Sequence, residues 1–170
     1  MFKIRIIIAF IICVGFISCK DDLPELTETV NPFLVEKGKR PLVIAHRGGT
    51  HYFPENTMLA FEYSKEIGAD VLELDIHLSA DGKIVVCHDN TIDRTSDKTG
   101  AIANLTYAEL STYNFAHNFK GPNGDYPYRD KLVKIPLLEE VFQSFPDKLM
   151  IIEIKSEGVL GKQCVPELLR

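Results

Sequence analysis

Apolar and polar positions along this chain fall into an alternation of strand and helix from Pro41 onward. Pro41-Leu42-Val43-Ile44-Ala45 is a short apolar run with proline first, which predicts a strand ending on His46-Arg47-Gly48-Gly49. Pro54-Glu55-Asn56-Thr57 then opens a helix expected over Thr57 to Ile67. Asn56 or Thr57 supplies its cap, Leu59, Ala60, Tyr63 and Ile67 form its apolar stripe, and Gly68 ends it. Val71 to Asp89 reads as two apolar arms around Asp81-Gly82, a pair that suits a two-residue hairpin turn. Pairing outward from that turn sets Ala80 opposite Lys83 and Asp75 opposite His88. The competing reading, a tight return into a parallel strand, needs a crossover of about a dozen residues, so the hairpin is favoured.

Glu73, Asp75 and His77 share one parity and project from one face of the first arm. Carboxylates there are either solvated residues on an outer face or buried groups that need a partner or a metal. Beyond Asp89 the pattern turns irregular. Asp93 to Arg129 holds one short helix, Thr106 to Thr112, then a loop with Gly121, Pro122, Gly124 and Pro127. Ordered loops of this length are usually functional. Ile135 to Phe142 predicts a second helix with Pro136 in its first turn. Leu149 to Lys155 predicts another strand, and Pro166 to Arg170 lies inside a helix that follows it.

This order is an α/β alternation. Polar groups recur at the carboxyl ends of the strands: His46 and Arg47, Glu73 and Asp75, Glu153 and Lys155. In an α/β barrel such ends converge on one face, where active sites lie.

Composition changes the picture mainly at the amino terminus. The 170 residues are 45% hydrophobic, enough for a real core in one domain. The first segment is not part of that core. Lys3 and Arg5 precede an apolar run from Ile6 to Ile17, which has signal-peptide length and is short for a bilayer span. Ser18-Cys19 at its end resembles a bacterial lipobox, with Cys19 as the lipidated first residue of the mature protein. Lys20-Asp21-Asp22 resembles a surface-export signal of lipoproteins in the Bacteroidetes. The division expected is a signal peptide over 1–18, lipidated Cys19 and a tether over 19–40, and a domain over 41–170.

Loss of Lys3 and Arg5 with the leader moves the formal charge from −5 to −7, which argues against a nucleic-acid partner. Cys87 and Cys164 remain; they either pair in an oxidising compartment or serve as two small buried hydrophobes.

Taken in order, His46-Arg47-Gly48, Pro54-Glu55-Asn56-Thr57, Glu73-Leu74-Asp75, Asp81-Gly82, Cys87-His88-Asp89, Asp93-Arg94-Thr95, the Pro136–Val141 stretch and Glu153-Ile154-Lys155 resemble the glycerophosphodiester phosphodiesterase family. The resemblance implies an α/β fold of TIM-barrel type, as in phospholipase-C-like phosphodiesterases. It implies metal-dependent hydrolysis of small glycerophosphodiesters to an alcohol and glycerol 3-phosphate. One divalent cation, Ca²⁺ or Mg²⁺, would be held by Glu73, Asp75 and Glu153, with His46 and His88 as the general acid/base pair. Carboxylate oxygens suit hard cations, and histidines titrate near neutrality. Arg47 is expected to clamp a phosphate oxygen, with Lys155 as a second point charge. His77 shares the parity of the carboxylates and is read as a pocket-lining position at which the family does not require a histidine. His51 and His117 read as loop residues, Glu55 and Asn56 as residues that shape the start of the helix, and Asp89 as one that orients a loop.

A TIM barrel takes about 250 residues, so the domain is expected to hold roughly the first half of one, truncated at its carboxyl side and weak or inactive alone. The alternatives are a catalytically silent surface binding lipoprotein and a related phospholipase-C-like enzyme. The expected location is the cell envelope, lipid-anchored to the outer membrane. The sequence leaves the substrate alcohol, the cation and the oligomeric state open.

Overall fold

The computed structural model describes residues 31–35, 38–155 and 158–168. The expected leader and Cys19 lie outside the described residues, as does most of the expected tether. Among the described residues no helix is long and apolar enough to cross a membrane.

Strand β2, Val71–Leu78, is the centre of a four-stranded sheet. Nearly every one of its residues is buried, as expected of a strand covered on both faces. β1, Ile44–Ala45, runs parallel to its first two residues, with Ile44 facing Val71 and Ala45 facing Leu72. β4, Leu149–Ile154, runs parallel along the other edge, from Val71 opposite Leu149 to Ile76 opposite Ile154. The strand expected from Pro41 is shorter in the ladder, because its chain turns at His46–Gly48 into a single 3-10 turn. That turn frees the rest of the edge for β3, Ile84–Val86, which pairs antiparallel with Ile76–Leu78.

The hairpin forms, but its register differs by one residue from the expected one. Ser79 pairs with Lys83, Ser79 N donating to Lys83 O at 2.9 Å, so the loop is Ala80-Asp81-Gly82. Gly82 sits at φ 75°, the left-handed residue that closes a three-residue hairpin loop. The Ser79 hydroxyl donates to Asp81 Oδ1 at 2.6 Å and braces the turn. In consequence Asp75 lies opposite Cys87, whose N–H donates to Asp75 O at 3.0 Å, and not opposite His88.

Helix α1, Met58–Glu66, starts where the sequence placed it, with the Thr57 hydroxyl accepting from Ala60 N at 3.3 Å. α2, Tyr107–Leu110, carries a capping box between Thr106 and Glu109. α3, Leu138–Ser144, begins three residues later than expected from Ile135. The intervening chain is extended instead: Leu137 bridges Val85, and Pro136 O accepts from Val86 N at 2.9 Å. α4, Gly158–Leu168, follows β4.

Two apolar clusters hold these elements. Phe61, Leu72, Leu74, Ile76, Val141, Phe145 and Ile152 pack the sheet against its helices. Val85, Ile92, Ile102, Leu110, Phe115 and Ile135 form a second core beneath the long segment after Asp89. Each fully buried aliphatic side chain contributes about 1.5–3 kcal/mol, so burial fixes that segment, whose regular structure is limited to a 3-10 turn at Ile102–Asn104 and to α2. Cys87 belongs to this second core, where burial pushes its thiol pKa up to about 12; Cys164 is buried as well.

Candidate active site

Glu73 and Asp75 in the middle of β2 and Glu153 at the carboxyl end of β4 bring three carboxylates together, so the β2 pair lies within its strand and not at the strand end expected of it. Asp75 and Glu153 are direct partners across the parallel ladder, and Glu73 lies two residues back on the same face. One oxygen from each of Glu73, Asp75 and Glu153 lies within 4.8 Å of the others. Asp75 is 1% exposed, and its Oδ1 is buried without a hydrogen bond. Its Oδ2 accepts from Asn56 Nδ2 at 2.9 Å. Burial raises the pKa of Glu73 against the hydrogen bond from Arg47 N, and neighbouring Asp75 adds to the rise. Glu153 is shifted the other way, chiefly by the hydrogen bond from Lys155 at 2.9 Å.

An all-oxygen donor set fits a hard divalent cation, and a buried carboxylate oxygen without a hydrogen bond is a cost that a ligated cation removes. The residues present therefore fit a metal.

Cationic side chains close around this cluster. Arg47 Nε lies 3.3 Å from Asp75 Oδ2 and Nη1 lies 3.3 Å from Glu55 Oε1. Its backbone N–H donates to Glu73 Oε2 at 2.8 Å. The residue adopts φ 50°, ψ 33°, a left-handed conformation that costs a non-glycine residue about 1–3 kcal/mol and clusters at functional sites. Gly48 behind it packs so closely on α1 that an added Cβ would stand 2.8 Å from the Ala60 Cβ. Lys155 Nζ lies 3.7 Å from Asp75 Oδ1. Both expected phosphate ligands thus stand at the carboxylate cluster.

The two candidate acid/base histidines neighbour different carboxylates. A charge on His46 stabilises ionised Glu73, and a charge on His88 stabilises ionised Glu153. His88 Nδ1 lies 2.6 Å from Asp89 Oδ1, so Asp89 holds the imidazole, a more direct task than the loop orientation expected of it. His77 is buried on the face that carries Asp75, and its Nε2 lies 3.1 Å from His88 O. Burial lowers its pKa. His51 is exposed, and His117 Nδ1 lies 3.3 Å from Arg129 O, both in loops as expected.

Pro54-Glu55-Asn56-Thr57 does more than start a helix. Thr57 caps α1, while Asn56, at φ 54°, holds Asp75 by its side chain. Glu55 binds both Arg47 and Arg94. Its burial would raise its pKa, but the Arg94 hydrogen bonds and the arginine charges outweigh this and lower it. Sequence reasoning underestimated Glu55, Asn56 and Asp89 and gave Arg94 no role. The available signal was local: three of them lie within two residues of a proposed site residue or a cap.

Among the described residues, a cavity of about 210 Å³ beside this network is lined by Glu55, Arg94, Phe115, Asn118, Phe119 and Lys120. Larger cavities of about 390 and 480 Å³ lie against α3 and hold none of the candidate site residues. The chemistry, not cavity size, locates the site.

A mostly parallel sheet with its acidic and basic groups gathered on one face defines a TIM-barrel-like protein, and solved structures of that fold match it. The chain belongs to the glycerophosphoryl diester phosphodiesterase family, whose profile matches residues 46–166. It is similar to a glycerophosphodiester phosphodiesterase of Caldanaerobacter subterraneus, 42% identical over 127 residues, covering 71% of this chain and 48% of that one. The glycerophosphoryl diester phosphodiesterase domain of a Mycobacterium tuberculosis protein superposes with TM-score 0.70 at 29% identity, covering 78% of this chain and 49% of that one. An Oleispira antarctica phosphodiesterase, solved in complex with the product sn-glycerol-3-phosphate, superposes with TM-score 0.66 at 28% identity, covering 76% and 50%. The chain spans about half the length of the curated relatives it matches.

Proposed function

We propose that this chain carries the metal-binding and acid/base groups of an enzyme that hydrolyses glycerophosphodiesters to an alcohol and glycerol 3-phosphate. The observation that carries the reading is the cluster of Glu73, Asp75 and Glu153, with Asp75 Oδ1 buried inside it without a hydrogen bond. These three residues would hold one divalent cation, Ca²⁺ or Mg²⁺, which would neutralise charge on the phosphoryl oxygens. Arg47 and Lys155 supply fixed positive charge for the same oxygens. Water adds to phosphorus as the bond from phosphorus to the alcohol oxygen breaks. One histidine of the His46–His88 pair takes the proton from the water, and the other gives a proton to the departing alkoxide. Asp89 occupies His88 Nδ1, so His88 exchanges its proton through Nε2.

The family membership and the product bound in the Oleispira antarctica relative support this substrate class. The test is glycerol 3-phosphate release from glycerophosphodiesters with Ca²⁺, Mg²⁺ or chelator. His46→Ala and His88→Ala are each expected to lose roughly 10²–10⁴ in rate. Cation binding without release from any diester would favour a binding role instead.

We also propose an anchor. Ser18-Cys19 after the Ile6–Ile17 run supports lipidation of Cys19 and a place in the cell envelope, on the outer membrane. One acyl chain holds a protein weakly and several hold it firmly. Mass spectrometry of the mature amino terminus is expected to show acyl mass on Cys19; an unmodified terminus elsewhere would overturn the anchor.

A further inference from the structure

Among the described residues, Arg94 is the one guanidinium that bonds both Glu55 and Asp89 of the polar network described above. Its Nη1 and Nη2 donate to Glu55 Oε2 and Oε1 at 2.8 and 2.7 Å. Its Nε and Nη2 donate to Asp89 Oδ2 and Oδ1 at 2.7 and 3.2 Å. Both edges of one planar fork are therefore engaged, each by a whole carboxylate. The network runs from His88 Nδ1 to Asp89, through Arg94 to Glu55, and on to Arg47 Nη1.

The backbone that carries Arg94 is fixed independently of these bonds. Ile92 is fully buried in the second core, and Ile92 N donates to Gly100 O at 2.9 Å. Asn118 Nδ2 reaches back to Asp93 O and Ser96 O. The long segment after Asp89 thus holds the fork in place from outside the sheet. Arg94 is 48% exposed, and a lone pair at such a surface contributes little. Here bidentate geometry on two carboxylates makes the exception.

We infer that Arg94 is a positioning residue for both ends of the site: through Asp89 it fixes the His88 imidazole, and through Glu55 it fixes the Arg47 guanidinium. It touches no reacting atom. Lysine keeps the charge but has no planar fork, so it can satisfy one carboxylate and not both. The inference rests on the proposed roles of His88 and Arg47, but its geometry is testable without turnover.

The experiment follows the His88 Nδ1–H proton by NMR in the full chain, with Asp89→Asn as the reference for a broken hydrogen bond. Wild type is expected to show this proton far downfield. Arg94→Lys and Arg94→Ala are expected to lose or shift it while keeping the dispersed amide spectrum and unaltered cation binding. Millimolar guanidinium is expected to restore it in Arg94→Ala and not in Asp89→Asn. Glu55→Gln cuts only the far side of the fork and serves if the Arg94 variants unfold; it is expected to move the same resonance less.

In a preparation that turns over, Arg94→Lys is expected to lower kcat roughly 10–100-fold, the usual range for outer-shell partners, with KM little changed. An unmoved His88 resonance in folded Arg94→Lys and Arg94→Ala would overturn the inference. A moved resonance in a chain with no diesterase activity would leave the positioning role standing and count against the proposed function.

Discussion

At the scale of single residues, the site is a competition between burial and charge. Burial raises the pKa of Glu73 although Arg47 N donates to it, because the carboxylate sits half-buried beside Asp75. A bound cation removes that conflict. Wild-type protein is expected to gain several degrees in Tm when Ca²⁺ or Mg²⁺ is raised to 100 times its Kd, since that excess adds about 2.7 kcal/mol to stability. Glu73→Gln is expected to gain none. Equal gains in thermal melts of the two proteins would remove Glu73 from the metal site.

Asp89 shows the opposite sign. Arg94 and His88 hold its folded pKa at about 2 against an ordinary 3.8. A depressed carboxylate pKa adds stability that is fully present above about 3.8 and is lost as pH falls toward 2. Asp89→Asn is expected to flatten the acid limb of the stability curve in that window, read by urea unfolding at stepped pH. An unchanged acid limb would count against the ion pair.

At the scale of elements, the turn between β1 and α1 carries the most demand. Arg47, Gly48 and Gly49 all have positive φ, at 50°, 75° and 86°. They bend the chain so that Arg47 N meets Glu73 while the Ser64 hydroxyl donates to Gly48 O at 2.7 Å. Gly48 is required twice over, for its φ and for its contact with Ala60. Gly48→Ala is expected to destabilise by about 2–4 kcal/mol, from overpacking and backbone strain together, measured by denaturant unfolding. Gly68, at φ 80° with nothing near its missing Cβ, serves as the control in which only the strain is felt. A Gly48→Ala loss no larger than that of Gly68→Ala would show that the contact with Ala60 is soft.

At the scale of the whole molecule, β2 organises everything, yet among the described residues the outer edges of β1 and β4 pair with no other strand. Val43 and Ile44 beside that edge are 52% and 49% exposed. The three proposed cation ligands lie on β2 and β4 alone, whereas turnover needs every group held to about 0.5 Å. The 170-residue chain by itself is therefore expected to bind a cation. It is also expected to release glycerol 3-phosphate at least about a hundredfold more slowly than the Caldanaerobacter subterraneus relative under the same conditions. Comparable rates from the two proteins would show that the described strands suffice.

The sequence by itself determined the alternation of strand and helix, the Thr57 cap, the shared face of Glu73, Asp75 and His77, and which side chains are candidates for the chemistry. These are local facts, set by periodicity, capping and residue type. Tertiary structure decided what depended on distance along the chain. The hairpin register turned on Gly82 taking a left-handed conformation within a three-residue loop, a choice that Asp-Gly alone does not make. The start of α3 moved because Leu137 found a bridge partner in Val85. Glu55 and Arg94 meet across 39 positions where buried Ile92 and the Asn118 side chain hold the segment that carries Arg94. A pattern along one strand can assign a face, but a side chain's partner from a distant loop is settled by packing.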